Sequence, residues 1–491
     1  MKPRDLERPW LAGLLLVAAL LLALPAFWCV QRAAVVAMQY PWQLDREEGF
    51  LLQQALDLRA GRSIYPSLGT YPLTVGNYPP VYPALYAAAL AVGEPGLGQG
   101  RALVLLALLA IAGMGAWWVY RETRMVSAAA LAPLLFLVTW NWNNWAVFTR
   151  VDIPAIALGL AGLLVLGDGR SKRRLLAAGA LFVLGVYTKQ TQVFAPMAGL
   201  AMLLLTGRRR EAMGLAGGMA GAGLAILGIL QLMTGGEFWR HTVTYNANVM
   251  EWGKLGVWAG HLARFSGEKL AVAVVGLAVL WRCRHAAPTV LAAGVWLLLN
   301  SISYIQLAKA GSAANYLLEL DVAVAVVACL ACGLALPESA TRWRLVQPCL
   351  AAVLLVGAAL QWLPLRAVSR HPIPVELPGS QVAWTRLVSA PEPVLSELPI
   401  YTIRAGKPVI YQPFIMQQLA AEGRWEQTSF LADLEAGRFP LIVTTQPMDG
   451  SAPTPGWTPE MRAVVERRYA PTEAVETWGF ALWFYEPRST P

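Results

Sequence analysis

Apolar and polar positions alternate in long blocks along most of the chain. Eleven apolar runs of about 13 to 22 residues are separated by polar connections, and an α-helix needs about 20 apolar residues to cross a bilayer. The pattern predicts a polytopic α-helical membrane protein, with about 11 transmembrane helices if the shorter runs also cross. The runs cover residues 11–30, 102–120, 125–140, 153–167, 174–187, 193–206, 212–233, 269–281, 288–307, 316–336 and 345–363.

The composition agrees with this prediction. Of the 491 residues, 56% are hydrophobic and 14% are charged, whereas about 25% of the residues of an ordinary soluble domain are charged. So few charges cannot cover the surface of a soluble protein of this size. So many apolar residues also exclude a disordered chain.

Basic residues predict how the helices are oriented. Clusters of Lys and Arg precede the first run and occupy every second connection, whereas the other connections carry scattered charges of both signs. Because cytoplasmic connections are enriched in Lys and Arg, we expect a cytoplasmic N-terminus, with the first run as a retained signal anchor. The net charge of +9 then reflects topology and predicts no nucleic-acid partner. The clusters are Lys2, Arg4 and Arg8; Arg121 and Arg124; Arg170, Lys172, Arg173 and Arg174; Arg208, Arg209 and Arg210; Arg282 and Arg284; Arg342 and Arg344.

Two longer polar segments lie on the predicted outer side. Residues 31–99 form a first outer loop within a transmembrane domain of residues 1–363. Its apolar stretch 81–92 is too short to span and is expected to form an interfacial or re-entrant helix. Residues 364–491 are richer in Pro and Glu and predict a small α/β domain. Its expected strands are 408–411, 440–444 and 480–485, and its expected helices are 415–422 and 430–436.

The first outer loop contains an unusual run of charges. Asp45, Arg46, Glu47 and Glu48 directly precede Gly49, and the stretch that follows contains Tyr78 and Tyr82. Four charges directly after a membrane span are unusual and mark these residues as candidates for a functional site at the outer face. They are equally consistent with the start of an interfacial helix, where the helix dipole favours acids.

Three further groups of polar residues lie at the predicted outer ends of apolar runs. Ionisable side chains so close to hydrocarbon are costly unless they are paired or functional. The alternatives are a local Arg–Asp pair, a lysine that extends to the membrane surface, and polar residues packed at a helix end. A longer loop, 235–268, is consistent with either a lid or a passive amphipathic loop. The three groups are Arg150 and Asp152; Lys189 and Gln190; Asn315, Tyr316 and Glu319.

The order and spacing of these motifs resemble the GT-C superfamily of membrane glycosyltransferases, in particular the bacterial branch related to protein O-mannosyltransferases and aminoarabinose–lipid A transferases. The resemblance covers about residues 1–336. It rests on the acidic motif 45–49, an A-x-x-L-x-x-G motif at 55–61, Y-P-P-x-Y-P at 78–83, R-x-D at 150–152, K-Q at 189–190 and N-Y-x-x-E at 315–319.

The resemblance implies transfer of one sugar from a polyprenyl-phosphate donor to a glycan, lipid or protein acceptor at the outer face of a bacterial inner membrane. It implies a catalytic carboxylate among Asp45, Glu47, Glu48 and Asp152. Arg46, Tyr78, Tyr82 and the polar residues of the three groups would bind substrate. The usual acid pair of the family is D-E, whereas this chain has D-R-E-E at 45–48. Either Asp45 is the base, or Glu47 and Glu48 occupy the position of the D-E pair directly before Gly49. No cofactor is indicated except a divalent cation, which some members of the superfamily use.

Two other functions are consistent with the same apolar pattern. A transporter or flippase of a lipid-linked saccharide predicts inverted repeats and ionisable residues near the bilayer midplane. A non-catalytic envelope assembly protein predicts that the C-terminal segment is a binding module. The clustering of acids toward one face favours the glycosyltransferase.

Overall fold

The computed structural model describes residues 6–7, 10–283, 287–337, 341–367, 375–451 and 455–488. Each of the eleven apolar runs lies in its own helical segment, as the hydropathy pattern predicts. These segments are α1 (Trp10–Gln39), α4 (Leu97–Thr123), α5 (Val126–Leu137), α7 (Asp152–Leu166), α8 (Lys172–Val186), α9 (Phe194–Leu205), α10 (Arg209–Met233), α12 (Lys254–Cys283), α13 (Pro288–Asn300) with the 3₁₀ turns Ser301–Ala308, α14 (Leu318–Gly333) after the 3₁₀ turn Ala314–Leu317, and α15 (Thr341–Ala367).

The length of the apolar helical stretch distinguishes two groups among these segments. Among the described residues, four segments are long and apolar enough to cross a membrane by length and composition. They are Leu97–Thr123, Arg209–Met233, Pro288–Ala308 and Ala314–Gly333. Five further apolar helices have 10–17 residues, so an exact number of spans stays a prediction. The helices together are those of a multi-pass membrane protein.

A tight helical hairpin sets the position of two candidate residues. α7 and α8 are joined by a turn in which Gly167 and Gly169 have positive φ values of 54° and 68°. Gly162 lets the helices approach closely, because a Cβ there would lie 2.5 Å from the Phe182 ring. Since α7 begins at Asp152 and α8 ends at Val186, the hairpin brings Asp152 to the same end of the bundle as the connection that follows α8.

The first outer loop contains two short helices, α2 (Glu48–Arg59) and α3 (Val81–Ala89). The 9 residues of α3 confirm a helix too short to span. Two boundaries differ from the prediction. α1 continues to Gln39, so the loop begins near residue 40, and the loop predicted at 235–268 ends where α12 begins at Lys254. Both corrections have the same cause, because helices continue beyond the apolar residues that reveal them.

Two further outer connections contain short helical elements, and a two-stranded ladder pairs residues 6–7 with residues 336–337. α6 (Trp140–Trp145) follows α5, and α11 (Glu237–Trp239) continues into a π-helical turn, Arg240–Thr244. The strands β1 (Leu6–Glu7) and β2 (Leu336–Pro337) pair antiparallel. The predicted basic residues Lys2, Arg4, Arg8 and Arg284 lie outside the described residues, and the side chains of Arg342 and Arg344 are not described either.

The C-terminal segment contains a four-stranded mixed sheet in the order β3-β4-β6-β5. β3 and β4 are parallel, and the other pairs are antiparallel. The two strands expected at 440–444 and 480–485 and the two expected helices are present. The elements are β3 (Val394–Ser396), β4 (Leu441–Thr444), β5 (Tyr469–Thr477), β6 (Phe480–Pro487), α16 (Pro378–Ser389), α17 (Pro399–Arg404), α18 (Pro413–Ala421), α19 (Thr428–Glu435) and α20 (Pro459–Arg468).

The strand expected at 408–411 is wrong. Tyr411 instead forms an isolated parallel bridge with Leu73 of the first outer loop. Leu73 N donates to Ile410 O at 2.8 Å, and Gln412 N donates to Leu73 O at 2.9 Å. The apolar run of this segment therefore reflects burial against another loop and not membership of the sheet.

The C-terminal segment packs closely on the helical segment. Trp42 of the first outer loop stacks on Tyr401 of α17 with ring centroids 4.7 Å apart. Buried residues of both segments, such as Leu51 and Ile400, belong to one continuous hydrophobic core. A division into two domains at residue 363 stays a prediction. The shared core explains how C-terminal residues reach the site described next.

Candidate active site

A cavity of about 280 Å³ lies at one end of the helix bundle. The first outer loop, the connections before α7 and α14, and the C-terminal segment all contribute to its walls. Most of the residues singled out in the sequence line it or lie directly beneath it. Its polar lining consists of Asp45, Arg46, Glu47, Asn77, Tyr78, Arg150, Asn246, Asn248, Lys309, Asn315, Tyr316, Glu397 and Gln412.

Asp45 and Arg150 of this lining form a continuous series of ion pairs with Asp152 and Lys189, which line a smaller void beneath the cavity. Arg150 Nη1 lies 3.0 Å from Asp45 Oδ1, and Arg150 Nε lies 3.8 Å from Asp152 Oδ2. Lys189 Nζ lies 2.5 Å from Asp152 Oδ1. The local Arg–Asp pair considered above is therefore one link of a longer series. Within the described part of the chain, the buried atoms Arg150 Nε and Asp152 Oδ2 have no hydrogen-bond partner, so their contact with each other is an ion pair without a hydrogen bond.

Lys189 is held between three side chains. Besides its ion pair with Asp152, its ammonium lies 4.4 Å from the centroid of the Tyr316 ring. Asn315 Nδ2 donates to the same Asp152 oxygen at 2.8 Å. Lys189 is only 7% exposed, so it does not extend to the membrane surface. A buried ammonium with one carboxylate partner is well placed to bind an anion as well.

Glu48 is fully buried and does not line the cavity. Arg101 of α4 donates to both of its carboxylate oxygens, at 2.9 and 2.8 Å. The backbone amides of Leu44 and Thr149 donate to it at 2.6 and 2.8 Å. Burial alone would raise its pKa, but the Arg101 guanidinium and these donors hold the pKa of Glu48 below its ordinary value. Glu48 therefore joins three segments around the site, with its acceptor capacity already used.

Asp45 and Glu47 have the opposite environment. Both line the cavity, and burial raises the pKa of each carboxyl above its ordinary value, with the Arg150 guanidinium acting against this rise. Glu47 N donates to Asp45 Oδ1 at 3.1 Å, which together with Arg150 fixes the orientation of the Asp45 carboxylate. A carboxylate with a raised pKa at a cavity wall is suited to accept a proton.

Lys309 is a cavity residue that the sequence analysis did not select. Its ammonium donates to Asn246 Oδ1 at 2.8 Å. Burial, together with the nearby charge of Lys189, lowers the pKa of Lys309 to about 8. The signal was present in the sequence, because Lys309 stands six residues before Asn315 in the connection between α13 and α14. Two lysines close enough to affect each other indicate a place for an anion.

The C-terminal segment supplies residues that no motif predicted. Glu397, which follows β3, lines the cavity and accepts hydrogen bonds from Trp457 Nε1 at 2.6 Å and Thr445 N at 3.0 Å. Burial raises its pKa. Gln412 and Phe414 lie on the same wall. No sequence signal marked these positions, because their contribution depends on how α17 and α18 pack on the first outer loop.

The structure places three other candidates outside the cavity. Tyr82 is fully buried, and its hydroxyl donates to Gly100 O at 3.1 Å. Gln190 donates to Asn77 O and Thr242 O, at 2.9 and 3.1 Å, and so joins two outer loops. Glu319 accepts a hydrogen bond from Trp296 Nε1 at 2.7 Å and borders a void of about 20 Å³ beneath the cavity. These contacts position the walls of the site.

A divalent cation has no evident ligand set. Among the described residues, no group of three or more His, Cys, Asp or Glu side chains could hold a metal ion.

His241 lies within the loop considered as a lid. Its Nδ1 accepts a hydrogen bond from Gly76 N at 2.9 Å, and its Nε2 lies 2.7 Å from Pro66 O. Burial lowers its pKa to about 4, as suits a neutral ring that fixes the loop.

A model of glycosyltransferase family 87 matches residues 77–303. This region contains the R-x-D and K-Q motifs and the helices that carry them. Comparison of the sequence with curated proteins finds no match.

Solved structures with the same fold come from two groups of enzymes. The crystal structure of ArnT from Cupriavidus metallidurans bound to undecaprenyl phosphate is 14% identical, covers 93% of this chain and 97% of that chain, and has a TM-score of 0.60. The archaeal oligosaccharyltransferase AglB from Archaeoglobus fulgidus, in complex with an inhibitory peptide and a dolichol-phosphate, is 12% identical, with coverage of 85% and 69% and a TM-score of 0.51.

These likenesses establish the fold, and the family match adds the enzyme class. The resemblance to the GT-C superfamily that the motifs predicted is confirmed. The chain has the GT-C fold, and its residues 77–303 match a glycosyltransferase family.

Proposed function

Starting from the GT-C fold and the match to a glycosyltransferase family, we propose that the protein transfers a single sugar from a polyprenyl-phosphate donor to an acceptor hydroxyl at the outer face of the membrane. The observation that carries the proposal is the series Asp45–Arg150–Asp152–Lys189. Asp45, Arg150 and Lys309 line the cavity, and Asp152 and Lys189 line the small void beneath it. Together they offer a base and several cations within one small space. The similar structures were solved with undecaprenyl phosphate and dolichol-phosphate, which are polyprenyl phosphates without a sugar, as the proposed donor would be after transfer.

The size of the cavity supports one sugar. Small-molecule sites usually enclose about 300–1,000 Å³, and this cavity of about 280 Å³ is at the lower limit. A monosaccharide fits such a space better than an oligosaccharide does. The lipid chain of the donor would extend from the cavity into the bilayer.

The reaction assigns a role to each end of the series. The acceptor hydroxyl gives its proton to Asp45 while its oxygen forms a bond to the anomeric carbon. The bond from that carbon to the phosphate oxygen breaks, and polyprenyl phosphate leaves with the electron pair. Lys189, Arg150 and Lys309 stabilise the charge that develops on the phosphate. A single displacement of this kind inverts the anomeric configuration.

Asp45 is the favoured base among the first-loop acids. Its carboxylate is oriented by Arg150 and by the Glu47 amide, and it lines the cavity. Glu47 also lines the cavity, but among the described residues no ion pair fixes its carboxylate. Glu48 is excluded from this role because Arg101 and backbone amides occupy both of its oxygens.

The test is transfer of a labelled sugar from a polyprenyl-phosphate donor by the purified protein in liposomes. Asp152→Asn and Lys189→Met should each lower transfer by at least about 100-fold, because both remove charge from the site. Asp57→Asn is the matched control, since Asp57 pairs with Arg62 in the same outer loop but outside the cavity. Full transfer by both site variants would contradict the proposal. Donor translocation without a glycosidic product would favour a flippase instead.

A further inference from the structure

A second groove, of about 1,000 Å³, lies between α8 and α10. Apolar side chains line most of its length, among them Leu175, Val183, Leu215, Met219 and Ile226. Its basic end is formed by Arg170, Lys172 and Arg210. None of these residues lines the candidate active site. The combination of an apolar channel and a basic end is the chemistry of a lipid-binding groove.

The groove faces the bilayer. α10 packs against the bundle so sparsely that only 6% of its most apolar 18-residue window is buried. From Lys172 to Leu184 the groove follows α8 for about 18 Å at the helical rise per residue. One bilayer leaflet contributes about 15 Å of hydrocarbon. An acyl chain of a membrane lipid could therefore lie along the groove within one leaflet.

The charges at the basic end are strongly unbalanced. The two connections that form this end contain Asp168 and Glu211 as their acids. Glu211 pairs with Arg208 at 3.1 Å, and Asp168 lies 3.5 Å from Arg170. In the part of the chain that the structure describes, neither Lys172 nor Arg210 forms an ion pair. The basic residues are Arg170, Lys172, Arg173, Arg174, Arg208, Arg209 and Arg210.

The basic end is remote from the active site. Lys172 begins α8, whereas Lys189 follows its other end. The 15 residues of α8 separate the two ends by about 22 Å. A phosphate at Lys172 is therefore not the phosphate of a donor that reacts beside Lys189, and the two sites belong to opposite leaflets.

We propose that this groove binds one anionic phospholipid of the leaflet opposite the active site. Its phosphate contacts Lys172 and Arg210, and one acyl chain follows the apolar walls. An anionic lipid is required because the unpaired basic side chains favour a net negative headgroup. A zwitterionic lipid of equal chain length gains less at this end, because the cation of its own headgroup offsets the charge of its phosphate.

The first test measures lipid retention by native mass spectrometry of the purified full-length protein in detergent. Phosphatidylglycerol should be retained in preference to phosphatidylcholine. Each basic side chain near a membrane surface contributes enough to change binding by about fivefold. We therefore expect Lys172→Gln and Arg210→Gln each to weaken retention of phosphatidylglycerol by about fivefold, with retention of phosphatidylcholine unchanged.

The second test fills the groove. Gly214 and Gly218 line it, and a Cβ at either position meets no other atom within 4 Å, so leucine there occupies the groove without displacing protein. Gly217 and Gly221 are equally open on the same helix but do not line the groove. Gly218→Leu should abolish retention of phosphatidylglycerol, whereas Gly217→Leu should leave it intact.

Three results would overturn the proposal. One is equal retention of phosphatidylglycerol and phosphatidylcholine by the wild-type protein. Another is displacement of phosphatidylglycerol by excess polyprenyl phosphate, which would assign the groove to the donor. The third is a detergent-resistant dimer that Gly218→Leu dissociates, which would make a second copy of the chain the occupant.

Discussion

Glu48 and Arg101 form a fully buried, bidentate ion pair with N–O distances of 2.9 and 2.8 Å. Arg101 also donates to the carbonyl oxygens of Ala37, Tyr40 and Trp42. The pair thereby connects the end of α1, the acidic motif and α4. Glu48 therefore has a structural role, although it lies next to the catalytic candidates in the sequence.

Loss of this pair should destabilise the protein more than it alters the chemistry. Breaking a buried ion pair by removing one partner costs about 3–5 kcal/mol, because the other charge stays buried and unpaired. Glu48→Gln should therefore lower the unfolding temperature strongly, measured by thermal unfolding in detergent. Asp57→Asn, which breaks the more exposed pair with Arg62, should cost about 1 kcal/mol or less. A stable Glu48→Gln protein that has lost only kcat would contradict this assignment.

Asp45→Asn should lower kcat by about 10²–10⁴-fold with little change in KM, as expected for the loss of a general base. Because burial raises the pKa of Asp45, the rate of the wild-type protein should fall as the pH drops through that raised pKa. The acidic limb of the profile should thus lie above the ordinary aspartate value of 3.8.

The same pH profile tests whether Glu47, and not Asp45, is the base. The Asp45 charge contributes to the raised pKa of Glu47. If Glu47 accepts the proton, Asp45→Asn retains substantial activity and moves the acidic limb to lower pH, while Glu47→Gln loses activity. That pattern would reject Asp45 as the base and leave the site itself intact.

Deprotonation of Lys309 should cause the fall of kcat/KM at high pH, which is the alkaline limb of its pH profile. Its pKa of about 8 means that its positive charge is lost as the pH rises through that value. Donor binding should weaken accordingly, since the ammonium would no longer contact the phosphate. Lys309→Met should raise KM for the donor by about tenfold and remove this limb. Lys309→Arg should keep the charge and move the limb to higher pH. An unchanged limb in both variants would show that another group titrates.

Gly49→Ala should separate the C-terminal segment from the acidic motif. A Cβ at Gly49 would lie 2.7 Å from Gln43 Oε1 and 2.9 Å from Pro399 Cβ, so α17 must move. Gln43 joins the two segments, because its Oε1 accepts from Ile400 N at 3.0 Å. We expect lower transfer and faster proteolysis between residues 375 and 399.

The control for this substitution is Gly69→Ala in the same outer loop. The atom closest to a Cβ at Gly69 is Ser67 Oγ at 3.8 Å, which is ordinary contact. Its activity and proteolysis should match those of the wild type. Equal behaviour of the two variants would mean that the contact between α17 and the acidic motif does not matter for transfer.

Chelation should have little effect on transfer. Asp45 and Asp152 already pair with Arg150 and Lys189, and the cationic side chains can neutralise the leaving phosphate. We expect activity in excess EDTA to stay within about twofold of the untreated protein, measured with the same labelled donor. A loss that only added Mg²⁺ or Mn²⁺ restores would assign a cation to the site.

Much of the helical fold could be predicted because apolar runs reveal helices that contact lipid. All eleven runs correspond to helical segments. Their ends were less accurate, as at Gln39 and Lys254, because polar helical turns beyond a run carry no hydrophobic signal. The incorrect strand at 408–411 had the apolar residues of a buried strand, but the segment pairs with Leu73 and not with the sheet.

The sequence alone determined the membrane character of the chain, the order of its helices and the motifs Asp45, Arg150, Asp152 and Lys189, because these follow from local composition and spacing. Tertiary structure decided how those residues divide between chemistry and support. Glu47 and Glu48 are neighbours in the chain, yet their environments differ. The Glu48 carboxylate pairs with Arg101, whereas Glu47 lines the cavity. Likewise, Glu397 enters the site only through folding. Charge pairing and burial depend on contacts between distant segments, and adjacent positions in a sequence can meet opposite environments.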